Sequence, residues 1–178
     1  EDRAIRAGDI LVLVRKRRPF ADAMVAALEA RGVPVAGADR IRLADQLAVQ
    51  DLVVLGRFLL LPEDDLALAT VLKSPLFGLD DDDLLAIAPG RRGALWSALL
   101  RAADGDPRFK PAAETLKRWR HRADLAPPFE FYIEVLDHDG MRFRLLTRLG
   151  SEAADAIDEF LTLAMTYEVF VRYALNAP

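Results

Sequence analysis

The sequence contains no cysteine and only two histidines, His121 and His138. The absence of cysteine excludes disulfide bonds and metal sites built from thiolates. The two histidines do not stand at the spacing of a metal-binding pair, and no serine or cysteine nucleophile signature lies near either of them. We therefore expect no metal site and no nucleophilic catalysis in this chain.

Nucleotide-binding and hydrolase motifs are missing as well. The sequence has no G-x-x-x-x-G-K-[ST] phosphate loop, no G-x-G-x-x-G turn, no H-E-x-x-H and no G-x-S-x-G elbow, so it carries no catalytic constellation of its own. Its apolar runs are too short to span a bilayer, and it does not open on a signal-peptide pattern. These absences predict a cytoplasmic protein with no membrane partner.

The charge is nearly balanced and slightly acidic. The 178 residues carry 28 acidic and 24 basic side chains, a net charge of -4. Such a balance provides no overall attraction to nucleic acid, so any anion-binding surface has to be a local patch. Hydrophobic residues make up 52% of the chain, enough for a sizeable core. Because Glu1 stands almost directly before a predicted strand, we expect a fragment of a longer protein.

The stretch from Ala44 to Leu79 predicts a central helix, a stop at Pro62 and the start of a second helix. A helix that is apolar over a wide arc has to be covered on more than one side. Pro62 ends this helix, and Glu63 to Asp65 place negative charge at the start of the next one, where the helix dipole favours it. The apolar residues of the central helix are Leu47, Leu52, Val54, Leu55, Phe58, Leu59 and Leu61.

The first forty residues predict a different kind of structure. Ile10 to Val14 is a short apolar run typical of a strand buried on both faces of a parallel sheet. Phe20 to Arg31 predicts a helix that Gly32 stops, and Val33 to Val35 predicts a second strand. Strand, helix and strand form a minimal βαβ unit. Two strands alone do not make a stable sheet, so we expect strands from outside this sequence to complete it.

The remainder of the chain is predicted to be helical. Turn signals at Pro89-Gly90, Asp104 to Pro107, Asp137 to Gly140 and Gly150 separate the apolar periodic segments. A boundary is predicted near Asp39 to Asp45. The expected fold is therefore mainly α, with a small α/β segment at residues 1–43 and a helical domain at residues 44–178.

Three charge clusters are candidate sites. The four cations from Arg15 to Arg18 stand at the start of a predicted helix, where the helix dipole disfavours positive charge and a bound phosphate would neutralise it. A solvated basic turn is the alternative, which spacing alone favours. Lys117 to Arg122 surrounds Trp119 and could bind nucleic acid, although a helix C-terminus with a core tryptophan is the favoured interpretation. Asp80 to Asp83 lacks calcium-loop spacing and predicts helix capping.

The order of these pieces resembles the second half of UvrD/Rep-type superfamily 1 DNA helicases. It looks most like the AddA-type subunits of bacterial AddAB helicase–nucleases, which process double-strand breaks. Gly8 to Gly37 resembles helicase motif IV with its helix and the following strand. Ala44 to Leu79 resembles the passage from domain 2A into domain 2B, with Asp51 and Arg57 on one helix, a Pro-acidic turn at Pro62 and a Pro-x-x-Gly turn.

This resemblance implies roles for particular residues. It implies that residues 1–43 are a βαβ piece of the RecA-like domain 2A, and that residues 44–178 are a helical 2B-type domain. By position, Arg15 matches the motif IV arginine that reaches the terminal phosphate of ATP. The turn from Ser74 to Gly78 resembles a 2B turn that touches duplex DNA, which makes Lys73, Ser74 and Gly78 candidate DNA contacts. Here Leu76-Phe77 replaces the basic residue of the family.

The resemblance also implies what the chain lacks. The Walker motifs, motifs V and VI and any nuclease motif are absent from these residues. We therefore expect ATP, Mg²⁺, DNA and an AddB-like partner subunit only for a full-length parent, an ATP-dependent helicase and exonuclease of DNA repair and recombination. The chain alone is expected to be inactive and to hold no cofactor. A self-contained helical protein-interaction module is the alternative, whereas the missing phosphate loop argues against a stand-alone nucleotide-binding protein.

Overall fold

The computed structural model describes residues 4–12, 20–33, 43–151 and 153–175, without the side chains of residues 20–22, 29 and 169–175. All regular elements within these ranges are helical. Tertiary contacts divide the chain into two units, Glu1–Arg42 and Leu43–Pro178. The assignment of these parts of the chain to a RecA-like segment and a 2B-type domain stays a prediction.

The first unit contains a 3-10 turn at Ala7–Asp9 and helix α1 at Phe20–Glu29. Gly32 follows the helix in a left-handed conformation with a φ of 68°, and the Val33 N–H donates to the Leu28 carbonyl at 3.0 Å. Glycine allows this closure because it has no Cβ to clash in the left-handed region. The predicted helix and its glycine stop are confirmed.

The predicted βαβ unit is not formed by the described residues. Ile10, Leu11 and Val12 belong to no strand and are 65%, 82% and 48% exposed, so the prediction of a buried strand is wrong for these three residues. Val33 closes helix α1 instead of starting a strand. The physical reason is that a buried strand needs neighbouring strands to pair with, and the described residues supply none. Leu13-Val14 and Pro34-Val35 lie outside the described residues.

The second unit starts with a 3-10 turn at Leu43–Asp45 and continues as a succession of helices. Two of the predicted turns begin later than expected, because one helix continues through Gly105 and another runs on into a π-helical turn at Glu134–His138. The helices are α2 (Leu47–Leu60), α3 (Asp65–Lys73), α4 (Asp81–Ile87), α5 (Leu95–Gly105), α6 (Lys110–Ala123), α7 (Pro128–Ile133), α8 (Met141–Leu149) and α9 (Ala153–Leu175).

Helix α2 lies at the centre of the second unit, in contact with α3, α6, α8 and α9. Leu52 and Phe58 are fully buried, and the rings of Phe58 and Trp96 meet edge to face with their centroids 5.5 Å apart. The prediction of a helix covered on more than one side is confirmed for its middle. Its ends are less covered, since Leu47 and Leu61 are 62% and 55% exposed.

The corner between α2 and α3 is set by Pro62 and Asp64. Helix α2 ends just before Pro62, which has no N–H to continue the helical hydrogen bonds. Asp64 is the N-cap of α3: its Oδ1 accepts the Ala67 N–H at 2.9 Å, and its Oδ2 accepts a hydrogen bond from Arg57 Nη2 at 2.8 Å. The predicted acidic start of α3 is confirmed as a capped helix N-terminus.

Gly56 permits a close contact between helices α2 and α7. The Tyr132 hydroxyl donates to the Leu52 carbonyl at 3.0 Å, and a Cβ at position 56 would lie only 2.5 Å from that hydroxyl oxygen. The Tyr132 ring also packs edge to face on Phe160 of α9, with the ring centroids 4.8 Å apart. Burial raises the pKa of Tyr132 to about 12, because the phenolate would lose its hydration.

Trp119 anchors helix α6 in the core. Its side chain is 1% exposed, and its ring lies 5.6 Å from that of Phe77 between centroids. The indole Nε1–H donates to Asp139 Oδ2 at 2.5 Å, which satisfies the polar atom of a buried tryptophan. The interpretation of Trp119 as a core residue, rather than a stacking platform for bases, is confirmed.

Helix α9 is the longest helix that the structure describes, and it is amphipathic. Ile157 and Leu161 are buried against the core, whereas Leu163 and Tyr167 are 58% and 61% exposed. None of the helices in the described ranges combines the length and the apolar character that crossing a bilayer requires.

Candidate functional site

The Pro-x-x-Gly turn closes helix α3 through a set of internal hydrogen bonds. The Gly78 N–H donates to the Ser74 carbonyl at 2.8 Å, and the Leu79 N–H donates to the Leu72 carbonyl at 2.9 Å. Gly78 has a φ of 70°, a conformation that favours glycine. The Ser74 side chain is buried; its hydroxyl donates to the Val71 carbonyl at 2.7 Å and accepts from the Leu76 N–H at 3.3 Å. Ser74 therefore serves the turn itself.

Apolar side chains hold this turn on the core. Leu76 is fully buried, and Phe77 packs on Trp119. The Leu76 carbonyl accepts a hydrogen bond from Arg144 Nη1 at 2.9 Å. Leu76-Phe77, which stands where the resemblance places a basic residue, thus has a structural role. Leu76 is buried in the core, Phe77 packs on α6, and the Leu76 carbonyl is hydrogen-bonded to Arg144 of α8.

Lys73 is the cation nearest to this turn in sequence, and it is already paired. Its Nζ lies 2.5 Å from Asp81 Oδ1. Asp80 and Asp83 form a capping box at the start of α4, in which Asp80 Oδ1 accepts the Asp83 N–H at 2.9 Å and Asp83 Oδ2 accepts the Asp80 N–H at 3.2 Å. The prediction that these aspartates cap a helix is confirmed. A phosphate at Lys73 would have to compete with Asp81 and its acidic neighbours.

The structure therefore brings Lys73, Ser74 and Gly78 together on one turn, but it pairs the one cation among them, Lys73, with Asp81. DNA contact through these three residues stays a prediction. Arg15, the predicted contact to the terminal phosphate of ATP, lies outside the described residues together with the rest of the Arg15 to Arg18 cluster, and its role stays a prediction as well.

The second basic cluster, at the end of α6, is largely used within the fold. Arg118 Nη2 lies 2.9 Å from Asp139 Oδ2, and Arg122 Nε lies 2.7 Å from Glu134 Oε2. The Arg120 guanidinium stacks on the Trp96 ring at 5.6 Å from its centroid. These contacts agree with the interpretation of the cluster as a helix C-terminus rather than as a nucleic-acid surface.

Asp51 and Arg57, the acid and the arginine of the family pattern on α2, are not paired with each other. Arg57 binds Asp64, as described above. Asp51 is half-buried, and burial raises its pKa to about 6. Within the described part of the chain no cation offsets this desolvation.

We expect the Asp51→Asn variant to be more stable than the wild type at pH 7. The carboxyl group has a pKa of about 6 when folded and about 3.9 when unfolded, so the folded state binds its proton more tightly. The free energy of unfolding therefore falls as the pH rises from about 4 to about 6, and the loss is complete above that range. Because the group is partly solvated, we expect a gain of about 1–2 kcal/mol for the variant at pH 7.

Urea unfolding between pH 4 and pH 7 measures this effect. In the wild type the free energy of unfolding should fall between pH 4 and pH 6. This fall should be absent in Asp51→Asn and present in the control Asp124→Asn, whose side chain is exposed. A decline of equal size in the wild type and in Asp51→Asn would contradict the assignment to Asp51.

A groove that the sequence patterns did not reveal lies between helices α4 and α5. It has a volume of about 520 Å³, and it combines three arginines with small apolar residues. A signal for it was present in Gly90-Arg91-Arg92-Gly93, where two glycines flank two cations. The residues that line it are Ala86, Ile87, Pro89, Gly90, Arg91, Arg92, Ala98, Arg101 and Ala102.

Within the described residues, no group of three or more His, Asp or Glu side chains is placed to hold a metal ion.

Comparison with known proteins shows which proteins the chain resembles. No family model matches the chain. Three curated relatives, all ATP-dependent helicase/nuclease subunits of the AddA type, come from Leuconostoc mesenteroides, Clostridium acetobutylicum and Acetivibrio thermocellus. They are 28%, 30% and 29% identical over 118, 128 and 126 residues, which is 66%, 69% and 67% of this chain. The resemblance to AddA-type subunits is confirmed.

The similarity covers a small part of these helicase/nuclease subunits. The chain spans about a tenth of the length of the relatives it matches, 10% in each of the three cases.

Proposed function

We propose that this chain is a segment of an AddA-type ATP-dependent DNA helicase–nuclease that acts in the cytoplasm in double-strand-break repair and recombination. The observation that carries the proposal is the similarity to the three helicase/nuclease subunits over about two thirds of the chain. The helical second unit, which has its own core around α2, is compatible with an accessory domain of such a motor.

In this proposal the two parts of the chain have different tasks. Residues 1–43 are the start of a RecA-like 2A domain, in which Arg15 binds the terminal phosphate of ATP while the remaining nucleotide and Mg²⁺ contacts come from other parts of the parent. An arginine suits this task because its planar fork binds phosphate in a bidentate manner and stays charged at any working pH. Residues 44–178 are a 2B-type domain that faces DNA or an AddB-like partner subunit.

The isolated chain is expected to hydrolyse no ATP above background, whereas the parent should show DNA-stimulated turnover. The reason is that the chain has no phosphate loop to position the nucleotide and Mg²⁺. Release of phosphate by the purified chain and by the purified parent, each with and without a DNA fork, measures the difference.

Two results would count against this proposal. Turnover by the isolated chain would show that its parts have been misassigned. A parent without a phosphate loop upstream of Glu1, and without ATPase activity in the presence of DNA, would favour the helical interaction module.

A further inference from the structure

The loop between α4 and α5 is held in a defined conformation. Gly90 and Gly93 adopt left-handed φ angles of 65° and 83°, which turn the chain sharply on both sides of the two arginines. Arg91 braces the loop: its Nη1 donates to the Ala88 carbonyl at 2.9 Å, and its Nη2 pairs with Asp65. The other oxygen of Asp65 accepts the Leu95 N–H at 2.6 Å, so one carboxylate ties the loop and the start of α5 to α3.

Arg92 and Arg101 are exposed, and they differ from Arg91 because they are unpaired among the described residues. Neither forms an ion pair or a hydrogen bond within the part of the chain that the structure describes, and both line the groove. Many basic side chains of the second unit are neutralised by a carboxylate instead. They include Arg57, Lys73, Arg91, Arg108, Lys110, Arg118, Arg122 and Arg142.

The rest of the groove lining carries no acidic residue. Ile87, Pro89 and the alanines of α4 and α5 form its apolar part. The two guanidinium groups therefore provide the charge of this surface, on a protein whose net charge is -4. A local positive surface of this kind attracts an anion that the protein as a whole would repel.

We propose that the groove between α4 and α5 binds the phosphate backbone of nucleic acid through Arg92 and Arg101. This inference rests on the proposed function, because it takes the nucleic acid to be the DNA on which the parent acts. Each arginine fork can donate two hydrogen bonds to one phosphate, and phosphate contacts position a nucleic acid without reading its sequence.

The shape of the groove favours a phosphate backbone over an acidic peptide. A peptide would need deep apolar pockets for anchoring side chains, whereas the apolar lining beside the arginines consists of alanines, Pro89 and the buried Ile87 in an open groove. The groove also differs from the turn at Lys73, whose cation is paired with Asp81 and followed by further aspartates. We therefore assign the phosphate contact to Arg92 and Arg101 and not to that turn.

The test uses the 178-residue chain and a fluorescent forked DNA duplex, with binding measured by anisotropy over a series of KCl concentrations. The double variant Arg92→Gln/Arg101→Gln is expected to bind about ten-fold more weakly at low salt. The slope of log K against log[KCl] should fall by about 1 to 2, because two phosphate contacts are lost. Arg92→Lys/Arg101→Lys should retain the slope and lose part of the affinity.

The control removes two other exposed cations that lie outside the groove, as Lys117→Gln/Arg148→Gln. Thermal unfolding of each variant should match that of the wild type, since all four side chains are exposed. Equal losses in the groove variant and in the control would overturn the inference in favour of diffuse charge attraction. Binding of poly-glutamate together with no binding of DNA would overturn it in favour of an acidic protein partner.

The outcome is separable from that of the proposed function. A parent with DNA-stimulated ATPase activity, together with a groove variant that binds DNA as well as the wild type does, would overturn the groove assignment alone. A wild-type parent that shows no ATPase activity in the presence of DNA would instead contradict the proposed function.

Discussion

The Arg15→Ala variant of the full-length parent is expected to hydrolyse ATP about 100-fold more slowly than the wild type in the presence of DNA. In the proposed function this guanidinium contacts the terminal phosphate, where negative charge develops as the phosphoryl group is transferred. The loss of one preorganised donor to such a charge typically costs a factor of about 100 to 1,000 in kcat. Steady-state phosphate release at saturating DNA measures it.

Two variants separate this role from a general effect of charge. Arg15→Lys retains the charge but lacks the bidentate fork, so it should recover only part of the turnover. Arg18→Ala removes a cation from the same basic run and should leave kcat close to that of the wild type. Unchanged turnover in Arg15→Ala, with a normal unfolding temperature, would show that Arg15 does not contact the nucleotide.

The Gly56→Ala variant is expected to lower the free energy of unfolding by about 2–4 kcal/mol. The added Cβ would meet the Tyr132 hydroxyl at 2.5 Å and displace it from the Leu52 carbonyl. The cost combines overpacking of about 1–3 kcal/mol with about 1–3 kcal/mol for a partly buried hydroxyl that loses its partner. The higher helix propensity of alanine offsets about 0.5–1 kcal/mol of this cost.

A double-mutant cycle with Tyr132→Phe identifies the cause. Without the hydroxyl, the nearest side-chain atom to the new Cβ is the ring carbon Cζ at 3.8 Å, an ordinary contact. In the Tyr132→Phe background, Gly56→Ala should therefore be neutral or stabilising by up to about 1 kcal/mol. Gly105→Ala is a matched control, because no atom lies within 4 Å of a Cβ at that helical position. Equal destabilisation in both backgrounds would rule out the contact with Tyr132 as the cause.

Helix positions and helix ends in the second unit were largely predictable, because they depend on interactions between residues close in sequence. Pro62 stops α2, Asp64 caps α3, Asp80 pairs with Asp83 at the start of α4, and Gly150 follows α8. Each device acts within one helical turn. The wide apolar arc of α2 likewise predicted its central place, since a helix that is apolar over so wide an arc has to be covered on more than one side.

The expected strand at Ile10 was not predictable in the same way. An apolar β-branched run shows that a segment suits a sheet, but pairing depends on strands that lie elsewhere in the chain. Among the described residues no such partner is present, and Ile10 to Val12 are exposed. Lys73, Ser74 and Gly78 lie on one turn, as the motif predicted. The motif did not predict that Lys73 pairs with Asp81.

By itself, the sequence determined that this is a mainly helical protein and that it resembles AddA-type helicase/nuclease subunits. Helix caps, helix stops and apolar arcs are local properties, and a resemblance is carried by the order of residues. Only the tertiary structure decided which charges are free. Asp65 pairs with Arg91 and Asp81 pairs with Lys73, whereas Arg92 and Arg101 have no carboxylate partner among the described residues. The reason is that ion pairing depends on distances in space, which spacing along the chain does not determine.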